Sequence, residues 1–229
     1  MTGEELRKAR KGKGKTQSDV ARSLGASQGY VSLLESGARR VPARLAKRFV
    51  KLFELAPTAL PVEGNLDCFA ERNAQALAEE LAALGYPGFS YLRSRKQRNP
   101  AEVLLSALYQ KDLESRLAEA LPWILLHYPG LDQRWLAEQA RVHNLQNRLG
   151  FVVALARELA QRKGRQDAQL QTLAELEAVL EESRLAREDT FCQESSSEAE
   201  RRWLRGVRAP AAQHWNLLTD WTPESVRYA

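Results

Sequence analysis

The sequence predicts an all-α protein built as two domains, and three observations carry that expectation. Ala, Leu, Glu, Gln and Arg, all good helix formers, dominate the 229-residue chain. Only nine prolines and thirteen glycines interrupt it. Apolar residues recur at helical spacing, and no segment alternates apolar and polar residues in the way a half-buried strand does. With 44% hydrophobic and 28% charged residues the composition is globular, and the length suffices for one large core or two small ones.

The first helix is expected from about Gly3 to Lys11, with Leu6 and Ala9 inward, and "KGKGK" breaks it. Thr16 caps a second helix through Leu24, its hydroxyl placed to accept from a free amide of the first turn. Gly25 stands where that helix needs a left-handed residue to stop. Ser27 caps a third helix through Glu35, which Gly37 ends. In "PARLAKRFVKLFEL", Pro42 occupies a favoured first-turn position, and Leu45, Phe49 and Leu52 face inward. "APTALPVEGN" then packs three breaker signals into ten residues, which places a domain boundary there: residues 1–62 before it, 65–229 after.

Beyond the boundary the pattern is long helices joined by short loops. "NLDCFAERNAQALAEELAALG" reads as one helix, and "YPGFSYLRSRKQRNP" as a loop with a basic cluster at Arg93, Arg95, Lys96 and Arg98. Pro100 opens another helix to about Gln110, and "LESRLAEALPWILLHYPG" follows with a kink expected at Pro122. "NLQNRLGFVVALARELAQRKG" holds the most continuous apolar stretch, Phe151–Leu155, and is the expected central helix. The amphipathic helix 166–188 carries Leu173, Leu176 and Leu180 but too few heptads for an extended coiled coil. Two short helices, in "QESSSEAERRWLRG" and "APAAQHWNLLTD", complete the order.

Charge separates the two parts. Residues 1–64 hold 13 Lys/Arg against 6 Asp/Glu, while the rest holds 21 against 23. All the excess positive charge therefore lies in the first quarter, as expected of a module that faces a polyanion. In that quarter, "LRKAR", "TQSDVARSLGASQGYVSLLESG" and "RVP" resemble the helix-turn-helix of the Cro/repressor (XRE-type) family. The resemblance covers roughly the first sixty residues and implies a lambda-repressor-like DNA-binding domain of five short helices. Its physical requirements are met: Ala21 is small where two helices cross, Gly25 makes the turn, and Val31 and Leu34 anchor the third helix. That leaves Gln28, Gly29, Ser32 and Leu33 on the opposite face.

The resemblance implies roles for particular residues. Gln28, Gly29, Ser32 and Leu33 match base-reading positions; a glutamine there can pair with adenine through two atoms, and a leucine can touch a thymine methyl. Gln17, Tyr30, Ser36, Arg39 and Arg40 match positions that contact backbone phosphate. Arg10 and Glu35 match a structural ion pair between the first and third helices. Three departures stand out: Lys15 replaces an apolar residue before the second-helix cap, Gly29 removes a side chain, and Leu33 stands where a long polar one is common.

Other chemistry finds little support. His127, His143 and His214 are far apart and form no two-histidine metal pair, so no metal or cofactor is expected. "RAPAAQH" has an Arg-then-His spacing resembling HEPN-type nuclease motifs, but Pro210 interrupts the single helix that such a site needs. No phosphate-binding glycine loop or nucleophile elbow occurs, and the protein is not expected to be an enzyme. Cys68 and Cys192 have no metal-spaced partners and read as small apolar residues of a reduced, cytoplasmic setting. Trp123, Trp135, Trp203, Trp215 and Trp221 all fall in the second part, where core packing with bonded indole N–H groups is expected over a ligand pocket. "HNLQNRLGF" groups His143, Asn144, Asn147 and Arg148 either as capping residues or as a polar patch for a partner.

Together these point to a sequence-specific, double-stranded-DNA-binding regulator. It is expected to act as a repressor, a homodimer on a palindromic operator, without a membrane association. An alternative assigns the C-terminal domain to clasping a toxin, the chain being the antitoxin that autoregulates its operon.

Overall fold

The computed structural model describes residues 1–62, 72–94, 97–165 and 167–228. By internal contacts the chain divides into two compact units, Met1–Glu63 and Gly64–Ala229. Both are helical; the described residues contain only one pair of two-residue strands.

In the first unit, α1 (Gly3–Gly12) begins with a capping box in which Thr2 and Glu5 satisfy each other's backbone amides. α2 (Gln17–Leu24) repeats the device with Thr16 and Asp19, and α3 (Gln28–Glu35) starts on the Ser27 hydroxyl. α4 (Ala43–Phe53) starts one residue later than the sequence suggests, because Pro42 is extended at ψ 144° and only precedes the helix. Its inward stripe also differs. Ala46, Phe49, Val50 and Phe53 are buried, whereas Leu45 and Leu52 are only partly covered. Phe49 and Phe53 stack at 6.0 Å, one turn apart. They close a core with Leu6, Val20, Ala21, Leu24, Val31 and Leu34. The expected fifth helix is a single 3-10 turn at Pro57–Ala59, so among the described residues this unit has four α-helices.

In the second unit, α5 (Ala74–Leu84) is capped by Asn73 and does not run back through residue 72. The remainder of the expected helix from Asn65, with Cys68, lies outside the described residues. α6 (Pro100–Leu108) follows, with every residue buried. The expected kink at Pro122 appears as a break between α7 (Ser115–Ala118) and α8 (Ala120–His127). A proline ring clashes with the carbonyl four residues earlier, here Ala118, so the helix yields at that point and not at the proline itself. α9 (Gln133–Val142) leads into α10 (Gln146–Arg162), which is buried without interruption from Gln146 to Ala156. This is the central helix, packed by α8 and by α11 (Asp167–Glu181) through Leu173, Leu176 and Leu180. α12 (Glu198–Val207) and α13 (Pro210–His214) follow, and the strands β1 (Asp189–Thr190) and β2 (Leu217–Leu218) pair in parallel.

Of the polar group around the start of α10, His143 is the C-cap of α9 and Asn144 follows it at φ 57°, whereas the residues that open α10 are buried. Gln146 Nε2 donates to the Ser183 carbonyl and Asn147 bonds Leu185 through both its amide and its carbonyl. Arg148 is buried, paired with Asp189, and donates to the carbonyls of Leu108 and Gln110. Together they clamp the chain after α11 onto the bundle. The tryptophans divide: Trp123 and Trp215 are buried, Trp135 and Trp221 are half-covered, and Trp203 is 58% exposed. The Trp215 indole N–H is buried without a hydrogen-bond partner, contrary to expectation.

Gly150 explains the position of that ring. A Cβ built there would stand 2.4 Å from the Trp215 six-membered ring, so only glycine lets α10 meet it face on. Gly150→Ala is expected to destabilise the second unit by about 1–3 kcal/mol through overpacking. Urea unfolding followed by tryptophan fluorescence isolates this effect, because all five tryptophans lie in that unit.

Candidate nucleic-acid interface

The turn between α2 and α3 is built by backbone geometry. Gly25 adopts φ 66°, its N–H bonds the Arg22 carbonyl, and the Ala26 N–H reaches back to Ala21 at 2.9 Å. This pair of bonds is a Schellman motif, which a residue with a Cβ enters only at a cost. Arg48, from α4, donates to the carbonyls of Leu24 and Ser23 and satisfies further groups at the same helix end. The sequence reading missed Arg48, since nothing local links it to a turn some 24 residues away. At the other end of α3, a Cβ on Gly3 would lie 2.1 Å from the Leu34 carbonyl, so α1 seats directly on the end of α3.

Arg10 and Glu35 do meet. The guanidinium grips the carboxylate with Nε at 2.6 Å and Nη2 at 2.9 Å, and the two side chains are 12% and 3% exposed. Its remaining arm, Nη1, donates to the Lys15 carbonyl at 2.8 Å. Lys15 therefore serves this site through its backbone, which tolerates any side chain there.

From Glu35 the network runs outward. Its Oε2 accepts from Gln17 Nε2 at 2.9 Å, and Gln17 Oε1 accepts from Gln28 Nε2 at 2.7 Å. A carboxylate can only accept, so Gln17 must turn its NH₂ inward and its carbonyl outward, and Gln28 must answer with its own NH₂. The orientation of both amides is thus dictated from the core. Gln28 retains a second amide hydrogen and its carbonyl oxygen, a donor and an acceptor side by side.

The remaining sequence-designated residues lie along α3 and in the segment that follows it. Gly29 is exposed, and a Cβ built there meets nothing within 4 Å. Ser32 is half-buried and Leu33 is 47% exposed. The Arg39 guanidinium lies over the half-buried Tyr30 ring at 5.3 Å, and the Ser36 hydroxyl donates to the Leu33 carbonyl. Arg40 is exposed next to them. Of the Arg93–Arg98 cluster, Arg93 is exposed and only Arg98 is seen to be held by ion pairs. Arg98 is 12% exposed between Glu80 and Glu102, while Arg95 and Lys96 lie outside the described residues.

Arg208 pairs with Glu188 and His214 with Glu181; Arg208 is the extended residue that ends α12, and His214 is the last residue of α13. His127 stacks on Trp123, and His143 meets Tyr109 edge-on. The Cys192 thiol is fully buried, and burial pushes it up to about 11. Among the described residues no group of His, Cys, Asp and Glu is placed to hold a metal, and no helix is long and apolar enough to cross a membrane.

The Helix-turn-helix domain family matches residues 3–61 of this chain, about a quarter of its length. That match and the geometry above give an N-terminal helix-turn-helix DNA-binding domain. No curated protein and no solved structure matches the chain.

Arg10's hydrogen bonds hold the Glu35 carboxyl below its ordinary value of 4.5; burial opposes them and Gln17 adds to them. A carboxyl depressed in the folded state contributes stability that is complete above 4.5 and is lost as pH falls through the lower folded value. Backbone hydrogen-exchange protection of α1–α3, corrected for intrinsic rates, is expected to decline below that pH, and less steeply in Glu35→Gln. Glu35→Ala leaves Arg10 buried without its partner and is expected to cost about 3–5 kcal/mol at neutral pH.

Proposed function

We propose that this protein is a sequence-specific regulator of transcription of the Cro/repressor type, which lays α3 in the major groove. The observation that carries this reading is the Arg10–Glu35–Gln17–Gln28 network, which ends on an exposed, oriented glutamine at the head of α3. Its remaining donor and acceptor complement N7 and N6–H₂ of adenine, a pairing worth about 1–3 kcal/mol against the wrong base. Leu33 suits a thymine methyl, and Ser32 accepts either partner. Gln17, Tyr30, Ser36, Arg39 and Arg40 ring this patch and are assigned to the sugar-phosphate backbone, supported by exposed basic residues of α4 such as Arg44 and Lys47.

One such head contacts few base pairs, so a homodimer is the economical solution. Two linked heads raise effective concentration and read half-sites about 34 Å apart on a palindrome. Occupancy of such an operator represses by exclusion.

Selection of bound sites from random duplexes is expected to return a symmetric motif with an adenine in each half. Gln28→Ala should remove preference at that base pair alone. Gln17→Ala should weaken binding to every duplex and, by releasing the Gln28 amide, also erode the adenine preference. If Gln28→Ala lowers affinity for specific and random DNA equally, Gln28 is not a reader.

A further inference from the structure

The second unit contains a cleft of about 310 Å³, at the lower end of the size range of small-molecule sites. It lies between the 3-10 turn Pro87–Phe89, the α7 region and the C-terminal turn Pro223–Ser225 with the residues that follow. Its chemistry is mixed in a specific way. Phe89, Trp221 and Tyr228 supply aromatic wall, Arg116 and Arg227 supply positive charge, and Glu119 supplies a carboxylate.

Tyr86 decides what this combination is for. Its side chain is 2% exposed and packed edge-on against Trp123 and Tyr228, at 5.3 and 5.6 Å. Its hydroxyl is buried and has no hydrogen-bond partner among the described residues, although Tyr86 lines the cleft. Buried polar groups in folded proteins are nearly always bonded, so an orphan at the wall of a cavity marks a group kept for something that enters. Burial, and after it the charge of Glu119, hold this phenol above its ordinary value, so it remains a proton donor. Gly88 lacks a Cβ where one would stand 2.5 Å from the Tyr86 ring, which leaves the ring room to sit there.

The charged groups are fixed as well. Glu119 is 9% exposed and its Oε1 accepts the Arg227 backbone N–H at 2.7 Å. The Arg116 guanidinium is held over Phe89 at 5.4 Å and donates through Nη2 to the Gly88 carbonyl. A purely anionic ligand would face the poorly solvated Glu119, and a purely cationic one the two arginines. A ligand with both charges meets neither penalty.

We propose that this cleft binds a small zwitterion with an apolar body, of the class of apolar α-amino acids. Its carboxylate accepts from the Tyr86 hydroxyl and lies near Arg116 and Arg227, its ammonium faces Glu119, and its side chain rests on Trp221 and Tyr228. Because Pro223–Tyr228 forms part of the wall, occupancy fastens the end of the described chain to the bundle.

Titration of the full chain with L-phenylalanine and L-leucine tests this, read by calorimetry and by thermal unfolding. Phenylacetate and phenethylamine serve as single-charge controls. Saturable binding of an amino acid is expected, roughly tenfold or more tighter than either control, which corresponds to one charge-assisted hydrogen bond. Tyr86→Phe should raise the melting temperature of the empty protein, since it removes an unbonded buried hydroxyl, and should weaken the amino acid roughly tenfold. That opposite movement distinguishes a binding role from a structural one. Glu119→Gln should weaken the amino acid and leave phenylacetate as tight or tighter. The proposal is overturned by no saturable binding of either amino acid, by a control that binds as tightly, or by unchanged affinity in Tyr86→Phe.

Discussion

The carboxylate of Glu35 is the constraint on which the first unit depends. It is buried where α1, α2 and α3 converge, and it can only accept hydrogen bonds. Arg10 supplies two from one side and Gln17 one from the other, so a single charge joins three helices and sets the direction of every amide beyond it. The apolar core is small, and its helices are only eight to eleven residues long. Such short helices are marginal alone, and apolar contacts between them tolerate sliding. A bidentate arginine–carboxylate pair does not, because two parallel bonds fix angle as well as distance. Position at the exposed face of α3 is therefore set by charge chemistry, and the apolar core mainly supplies cohesion.

The second unit solves an analogous problem with similar means. After α11 the chain must return across the bundle, and its backbone groups need partners there. Gln146, Asn147 and Arg148, the opening residues of the central helix, supply them over more than thirty residues of separation. Cys192, held at φ 53° under Arg148, lies inside the same clamp. In both units a polar cluster at one end of a buried helix fixes a segment that hydrophobic packing alone would leave free to shift.

How much of this was legible in the sequence follows from the range of each interaction. Caps and stops act within four residues, so Thr16, Ser27 and Gly25 were readable where they stand. The Arg10–Glu35 pair spans 25 residues and was accessible only through the family resemblance; Gln17 and Gln28 came with it, but the bond between them did not. Where no resemblance helped, long-range pairing was misread. Arg98 read as one of four cations in a loop; its partner Glu80 is 18 residues away, although its second partner, Glu102, is only four away. Asn147 and Arg148 read as capping residues or a partner patch for the same reason, their partners lying 38 and 41 residues away. The orphan hydroxyl of Tyr86 leaves no sequence trace, since it is defined by what fails to reach it.

The sparse face of α3 has a quantitative consequence. On the proposed function, one bidentate glutamine per head would discriminate by about 1–3 kcal/mol, and two heads on a palindrome by about twice that. Specific binders commonly exceed their own non-specific binding by about 4–10 kcal/mol. Gly29 contributes no side chain, and Leu33 contributes a methyl contact of lesser worth. Direct readout through α3 would thus reach the lower part of that range, and the balance would have to come from sequence-dependent DNA shape sensed through backbone contacts. Shape readout demands a rigid reader, because a head that can tilt follows any groove width with little change in energy. The anchoring of Gln17 to Glu35, and of Arg39 over Tyr30, supplies that rigidity at the rim of the patch. On that proposal a thinly equipped helix and a firmly braced surround are two halves of one arrangement, in which stiffness would replace the base contacts that Gly29 and Leu33 cannot make.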